Sequence, residues 1–371
     1  MDFRFTEEQE TIAKLAREIF ERRATPDRLT ELEAGETRYD AALWSELAAA
    51  DLLGTALPEA VGGNGGGFLE LGVLLAEVGW SVAPVPAYAT LVLGADPIAR
   101  HGSAEQQRRF LPGVVSGARI LTAGLQEPGR SDPMSPSTAA RRDGLNWRLD
   151  GAKELVPAAQ LADTILIPAA MDDGAVGLFL LPADTSGVEI RPVATTNREP
   201  HADVFLDGAI VSAHDRLDGP IGSLHTRALV GLCAIALGVC ERALRIAAEY
   251  TSGREQFGRP IGSFQAVQQR LADAFIDVEA IRWTTWHAAW LIARGRPSHE
   301  AERAARIAKF WAAEAGSRVA ASAQQVHGGI GIDVTYPLHR YFLWAKHNEL
   351  TLGPAPAQLA SIGSTYPEGT R

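Results

Sequence analysis

Cysteine is nearly missing from this 371-residue chain, which has only Cys233 and Cys240. On one predicted helix the two lie about 10 Å apart along the axis, too far for a disulfide. They are expected to be packed thiols of a protein in a reducing cytoplasm. An excess of positive charge is also missing: 35 Lys and Arg stand against 45 Asp and Glu, a net charge of -10. That balance argues against nucleic acid or an anionic membrane surface as the main partner. No uninterrupted apolar run reaches the roughly eighteen residues of a membrane span. The opening MDFRFTEEQE has no apolar signal core, so no secretory leader is expected. Nine histidines are present, but none falls in an HExxH or Cys/His cluster. His339 and His347 are too loosely placed to define a metal site. Without a GxSxG elbow, hydrolase chemistry has no foothold.

What remains is ordinary globular material, 46% hydrophobic and 22% charged, long enough for two or three domains. Three textures divide it. Residues 1–120 read as a helical domain. Thr6, Glu8 and Gln9 open a run with Ile12, Leu15, Ala16 and Ile19 at helical spacing. Further helices are predicted over Ala41–Leu53 and Phe68–Trp80. Residues 121–217 read as short strands between Gly, Asp and Pro turns, a small antiparallel sheet or barrel. Residues 218–371 return to helices near 223–251, 261–294, 297–325 and 337–347, and the tail STYPEGTR is expected to fray. The fold is therefore mainly α with an inserted β domain.

Three glycine-bearing stretches invite a ligand. VGGNGGG follows a helix rather than a strand and lacks a closing Lys-Ser/Thr, so it reads as a flexible helix–helix connection. In YTSGREQFGRPIGSFQAVQQRLAD (250–273), Arg254 can pair with a pyrophosphate and Phe257 can lie against a planar ring. A surface arginine with a core phenylalanine is the equally good reading. In QQVHGGIGIDVTYPLHRY (324–341), paired glycines after a long helix let a ligand approach, or simply cap the helix.

Together these stretches resemble the acyl-CoA dehydrogenase family. Arg254, Phe257, Gly258, Ile261 and Gln265 match its R-x-x-F-G-x-x-I-x-x-x-Q pattern. Gln325, Gly328, Gly329, Gly331 and Pro337 match its Q-x-x-G-G-x-G-x-x-x-x-x-P pattern. PEAVGGNG, LQEPGRSD and GAKELVPAAQLAD stand where the family has further signatures, and the resemblance runs in order from about residue 5 to 363. It implies a helical domain, a β-barrel-like middle domain and a C-terminal four-helix bundle. It also implies FAD, which accepts a hydride from Cβ of an acyl-CoA while a glutamate removes a proton from Cα. Arg254, Gln256 and Phe257 would then contact the pyrophosphate and adenosine of a neighbouring subunit's FAD. Gln265 belongs to the same motif, and Gln325, Gly328 and Gly329 would line the same end.

The departures matter as much. A carbon acid next to a thioester needs a carboxylate base, yet the two positions where the family places its glutamate are Leu352 and Thr226 here. The Ile-Thr-Asn element that touches the flavin in cis is Val156, Pro157 and Ala158, which lack its hydrogen-bonding groups. Gln126 and Arg130 depart from the usual pattern of their segment too. The chain thus resembles the base-lacking subunit of actinobacterial heterotetrameric acyl-CoA dehydrogenases that act on steroid side chains, with two copies of each subunit type. The resemblance implies a base-bearing paralogue as partner, FAD at the shared interface and an electron-transferring flavoprotein as acceptor. The alternatives are a homomeric enzyme with a displaced base, such as Glu349, Glu241 or Glu249, and a non-catalytic member of the fold.

Overall fold

The computed structural model describes residues 4–35, 37–130, 132–296 and 298–364. They form two compact units. One takes the N-terminal stretch through Ile19 with Asp27–Leu71 and Pro84–Ala228, and the other takes Phe20–Pro26, Gly72–Ala83 and the chain from Leu229 onward.

The N-terminal block is helical. Helix α1 (Glu7–Arg23) opens on a reciprocal cap: the Gln9 amide donates to Thr6 Oγ1 at 3.3 Å and the Thr6 amide to Gln9 Oε1 at 3.0 Å. Proline at the first position starts α2 (Pro26–Ala34), a helix the periodicity did not announce. Asp40 caps α3 (Ala41–Ala49), accepting from the Ala42 and Leu43 amides. This helix stops short of the expected Leu53, and Asp51 beyond it takes a left-handed φ of 57°. Helix α4 (Phe68–Ser81) follows, then a π-helical segment Tyr88–Ala95, α5 (Asp96–His101) and α6 (Ala104–Val115). The expected flexible glycine connection is instead tightly bonded. The Asn64, Gly65 and Gly66 amides donate to the carbonyls of Gly54, Leu57 and Thr55, and a Cβ at Gly63 would meet the Leu57 carbonyl oxygen at 2.2 Å.

The middle block holds β1 (Leu121–Ala123), β2 (Ala139–Asp143), β3 (Asn146–Pro157), β4 (Thr164–Met171), β5 (Val176–Pro182), β6 (Val188–Val193), β7 (His201–Ser212) and β8 (Arg216–Leu217). Their order is β6-β7-β3-β2-β4-β5-β8, with β1 beside β4. The sheet is mixed rather than purely antiparallel, because β1 and β2 both run parallel to β4. Alternating residues of β3 and β7 turn inward, so Trp147, Leu149, Val204, Leu206 and Val211 pack with Ile165, Ile167 and Phe179.

The C-terminal block comprises α7 (Ile221–Gly253), a ribbon of β9 (Glu255–Gln256) and β10 (Arg259–Pro260), α8 (Gln265–Ala293), α9 (Ser298–His327), α10 (Leu338–Leu350) and α11 (Ala355–Gly363). The inner face of α9 is lined by Ala301, Ala305, Ala308, Ala312, Ala315 and Val319, all buried, and small side chains at this spacing let neighbouring helices approach closely. Both cysteines are buried on α7 as free thiols, and burial pushes each up to about 12. Among the described residues no helix is long and apolar enough to cross a membrane. The tail beyond Ser364, expected to fray, lies outside the described residues. The architecture is the expected one, with helices, an inserted β module and a final helical bundle.

Candidate functional site

Between the helices predicted near 223–251 and 261–294 lies a two-residue β-hairpin. Gln256 pairs with Arg259 and Glu255 with Pro260, and the corner is Phe257 (φ 53°) followed by Gly258 (φ 77°). Two successive positive φ values suit a tight hairpin, but phenylalanine has no intrinsic preference for that conformation. Its ring is 91% exposed, so neither burial nor backbone comfort explains it. Arg254, Gln256 and Gln265 are exposed around it. The Arg254 guanidinium makes no ion pair with any described residue. The alternative of a core phenylalanine is therefore overturned: the ring points to solvent.

The second stretch starts where α9 ends. Gln325, Gly328 and Gly329 are exposed, Gly328 has φ 64°, and a Cβ at either glycine would meet nothing within 4 Å. The glycines thus terminate the helix and leave open space above the backbone. Stacking of Tyr250 on His327, with ring centroids 4.2 Å apart, joins the ends of α7 and α9 and so the two stretches. Unpaired donors, an exposed ring and a glycine opening suit one end of a phosphate-bearing nucleotide.

The Val156–Ala158 strap is different. Val156 and Ala158 are buried. The Ala158 amide is consumed by the Pro200 carbonyl at 2.7 Å, the neighbouring Leu155 amide by Asp203 Oδ1 at 3.0 Å, and Pro157 has no amide hydrogen. Its carbonyl accepts from Thr122 Oγ1 at 2.6 Å. These bonds take the Ala158 and Leu155 amides within the protein.

No carboxylate occupies either base position. Leu352 is buried at a left-handed φ of 55°, and Thr226 is buried on α7. The displaced candidates are all ion-paired: Glu349 with Lys346, Glu241 with Arg282, and Glu249 with Arg245.

Two buried lysines escaped the sequence reading. Lys153 Nζ sits 2.6 Å from Glu127 Oε1, with both side chains almost fully buried. Burial alone would raise the Glu127 carboxyl, but Lys153 and the Thr138 hydroxyl and amide overcome it and hold it down at about 2. Lys309 donates to the carbonyls of Asn348, Glu349 and Gly353 at 2.9, 3.1 and 3.2 Å, fixing the turn that carries Leu352. Burial pushes its ammonium down to about 8, against the opposing pull of Cys233 and Glu349. A lone lysine in an apolar stretch, as in GAKELVP and RIAKFWA, is the signal that could have found both.

Three family models cover nearly all of the chain: acyl-CoA dehydrogenase N-terminal domain over residues 6–118, middle domain over 123–208 and C-terminal domain over 224–366. The acyl-CoA dehydrogenase FadE27 of Mycobacterium tuberculosis is 42% identical over 99% of both chains. A chain of the Tcur3481-Tcur3483 steroid ACAD G363A variant superposes with a TM-score of 0.92 at 46% identity, covering 96% of this chain and 97% of that one. A chain of the ChsE4-ChsE5 complex from Mycobacterium tuberculosis does so with a TM-score of 0.92 at 41% identity, covering 99% and 100%. This chain is a member of the acyl-CoA dehydrogenase family, oxidoreductases that work with FAD.

Proposed function

We propose that this chain is the base-lacking subunit of a heteromeric, FAD-dependent acyl-CoA dehydrogenase. The carrying observation is an asymmetry: Arg254, Gln256, Phe257, Gln325, Gly328 and Gly329 stand open and exposed, whereas Val156–Ala158 is closed and Leu352 and Thr226 offer no base. In this reading Arg254 pairs with the pyrophosphate, Gln256 and Gln325 bond to the polar adenosine end, and Phe257 lies against a ring. Gln265, at the first turn of α8, borders them. Bound FAD supplies the hydride acceptor. The partner, a base-bearing paralogue of this chain, supplies the glutamate that removes the Cα proton of an acyl-CoA. Two copies of each subunit complete the assembly, with an electron-transferring flavoprotein as acceptor. The likeness to two complexes named as pairs, one of them a steroid enzyme, supports both the heteromer and a CoA thioester of a sterol side chain as substrate.

The ion pairs of Glu349, Glu241 and Glu249 with Lys346, Arg282 and Arg245 engage the carboxylates of all three candidates, which weighs against a displaced base in a homomer. The chain is to be purified alone and co-expressed with an acyl-CoA dehydrogenase paralogue encoded beside it, with flavin absorbance and native mass recorded for each. Colourless protein alone and a yellow heteromer together are expected. About one FAD per lone chain, bleached by an acyl-CoA, would overturn the proposal and turn attention to Glu349.

A further inference from the structure

Three rings meet beneath the two exposed stretches. Tyr250 lies in the last turn of α7, and its carbonyl accepts from the Arg254 amide at 2.9 Å. His327 is the last residue of α9, is buried, and immediately precedes Gly328. Tyr336 closes the loop that begins at Gly328. The His327 Nδ1 lies 2.7 Å from the Ala323 carbonyl oxygen and Nε2 lies 3.2 Å from the Tyr336 hydroxyl. A carbonyl can only accept, so Nδ1 carries the hydrogen and the unprotonated Nε2 accepts from Tyr336. Tyr250 stacks on the imidazole with an interplanar angle of 20° and meets Tyr336 edge-on at 6.4 Å. One neutral side chain therefore touches the roots of the Arg254 hairpin, the Gly328–Gly329 turn and the Tyr336–Pro337 corner.

We infer that His327 is a positioning residue, holding the Arg254 hairpin and the Gly328–Gly329 turn at the spacing that the nucleotide end of FAD requires. The inference rests on the shared-site reading above. Nothing in the ring triad is exposed enough to reach a ligand first, as Phe257 and Arg254 are. Its contribution is preorganisation: segments already held in place lose less freedom when the ligand binds. Protonation would make Nε2 a donor and reverse its bond to Tyr336, whose phenol oxygen can also accept, so the observed bonding is that of the neutral imidazole. Burial favours that state by lowering the histidine below its ordinary range, despite the opposing Ala323 carbonyl. The titratable groups facing the ring are Tyr250 and Tyr336, with Glu249 and Arg242 acting on Tyr336, whose hydroxyl burial pushes above its ordinary range.

The test uses the co-expressed heteromer stripped of flavin and titrated with FAD by fluorescence, in wild type, His327→Phe, Tyr336→Phe and Arg254→Ala. His327→Phe keeps a stacking ring and removes both hydrogen bonds. It is expected to weaken FAD binding about tenfold, the equivalent of one to two lost hydrogen bonds, with the mass of the assembly unchanged. Between about pH 7 and pH 5 histidine protonation reverses the Nε2–Tyr336 bond, and the wild type should show a pH-dependent change in FAD affinity that His327→Phe lacks. If His327→Phe fails to assemble, Tyr336→Phe decides, since it deletes one hydroxyl and should weaken binding in the same direction. Wild-type affinity in both ring variants, with loss of FAD in Arg254→Ala, would overturn the positioning role while leaving the site intact. Unchanged binding in Arg254→Ala as well would instead sink the shared-site reading.

Discussion

Two carboxyl side chains, Glu199 and Glu127, give this protein pH dependences of opposite sign. Burial pushes Glu199 up to about 7, against the Arg38 cation and the hydrogen bond from Asn197. A carboxyl raised on folding binds more protons in the folded state, so its contribution is present at acid pH and lost as pH rises through about 7. Glu199 is only partly enclosed, and the loss between pH 5 and pH 8 is set at about 1–3 kcal/mol. Urea midpoints across that range should flatten in Glu199→Gln, and an unchanged slope would refute the assignment. Glu127 has the opposite sign. Held at about 2, it stabilises above the ordinary carboxylate range, an effect lost on acidification towards pH 2. Lys153→Met leaves that carboxylate buried with only Thr138 and Ser137 as donors, which should cost about 3–5 kcal/mol in a denaturant titration at pH 7. Neither effect could be read from composition. Glu127 and Lys153 are 26 positions apart and meet only because β3 brings Lys153 under the loop that precedes β2. Arg254 and Phe257 were legible as a motif, but a sequence cannot show that one is unpaired and the other turned to solvent.

At the scale of elements, backbone proximity decides what the helices tolerate. A Cβ on Gly238 of α7 would lie 1.9 Å from the Ala76 carbonyl oxygen, and one on Gly79 of α4 2.0 Å from that of Ile235. Each glycine therefore faces the other helix's backbone, and no side-chain rotation can relieve the clash. Gly238→Ala gains about 1 kcal/mol of helix propensity but must push two helices apart. The net effect expected is a loss of about 1–3 kcal/mol, read as a fall in urea midpoint at unchanged slope. A stabilised variant would show that the crossing adjusts freely. Periodicity located most helices within a few residues, because apolar stripes and caps such as Thr6–Gln9 are local. It missed short helices such as α2 and α11, and the two parallel pairings with β4, since pairing partners are chosen by the tertiary fold. The hairpin at 255–260 escaped because Phe-Gly is a poor corner by local preference. That conflict between local preference and observed backbone is itself a pointer to a binding role for the ring.

For the whole molecule, the proposed division of labour makes stability depend on company. A ligand that binds only the assembled pair stabilises it by mass action, about 2.7 kcal/mol at a hundredfold excess over its dissociation constant. The melting temperature of the heteromer should therefore climb as FAD is added, and should also rise with protein concentration. The lone chain should respond to neither FAD nor AMP, because the Ala158 amide of its strap and the neighbouring Leu155 amide are bonded within the protein and, on the proposed reading, its exposed stretches supply only half of a site. Arg254→Ala in the heteromer should remove most of the FAD-dependent rise without altering the flavin-free melt, since the unpaired guanidinium contributes no ion pair to the fold itself. Differential scanning fluorimetry across FAD concentrations separates the cases. A lone chain whose melting temperature rises with FAD as steeply as the heteromer's would mean that this subunit binds the cofactor unaided, and the asymmetry between its open and closed segments would then need a different cause.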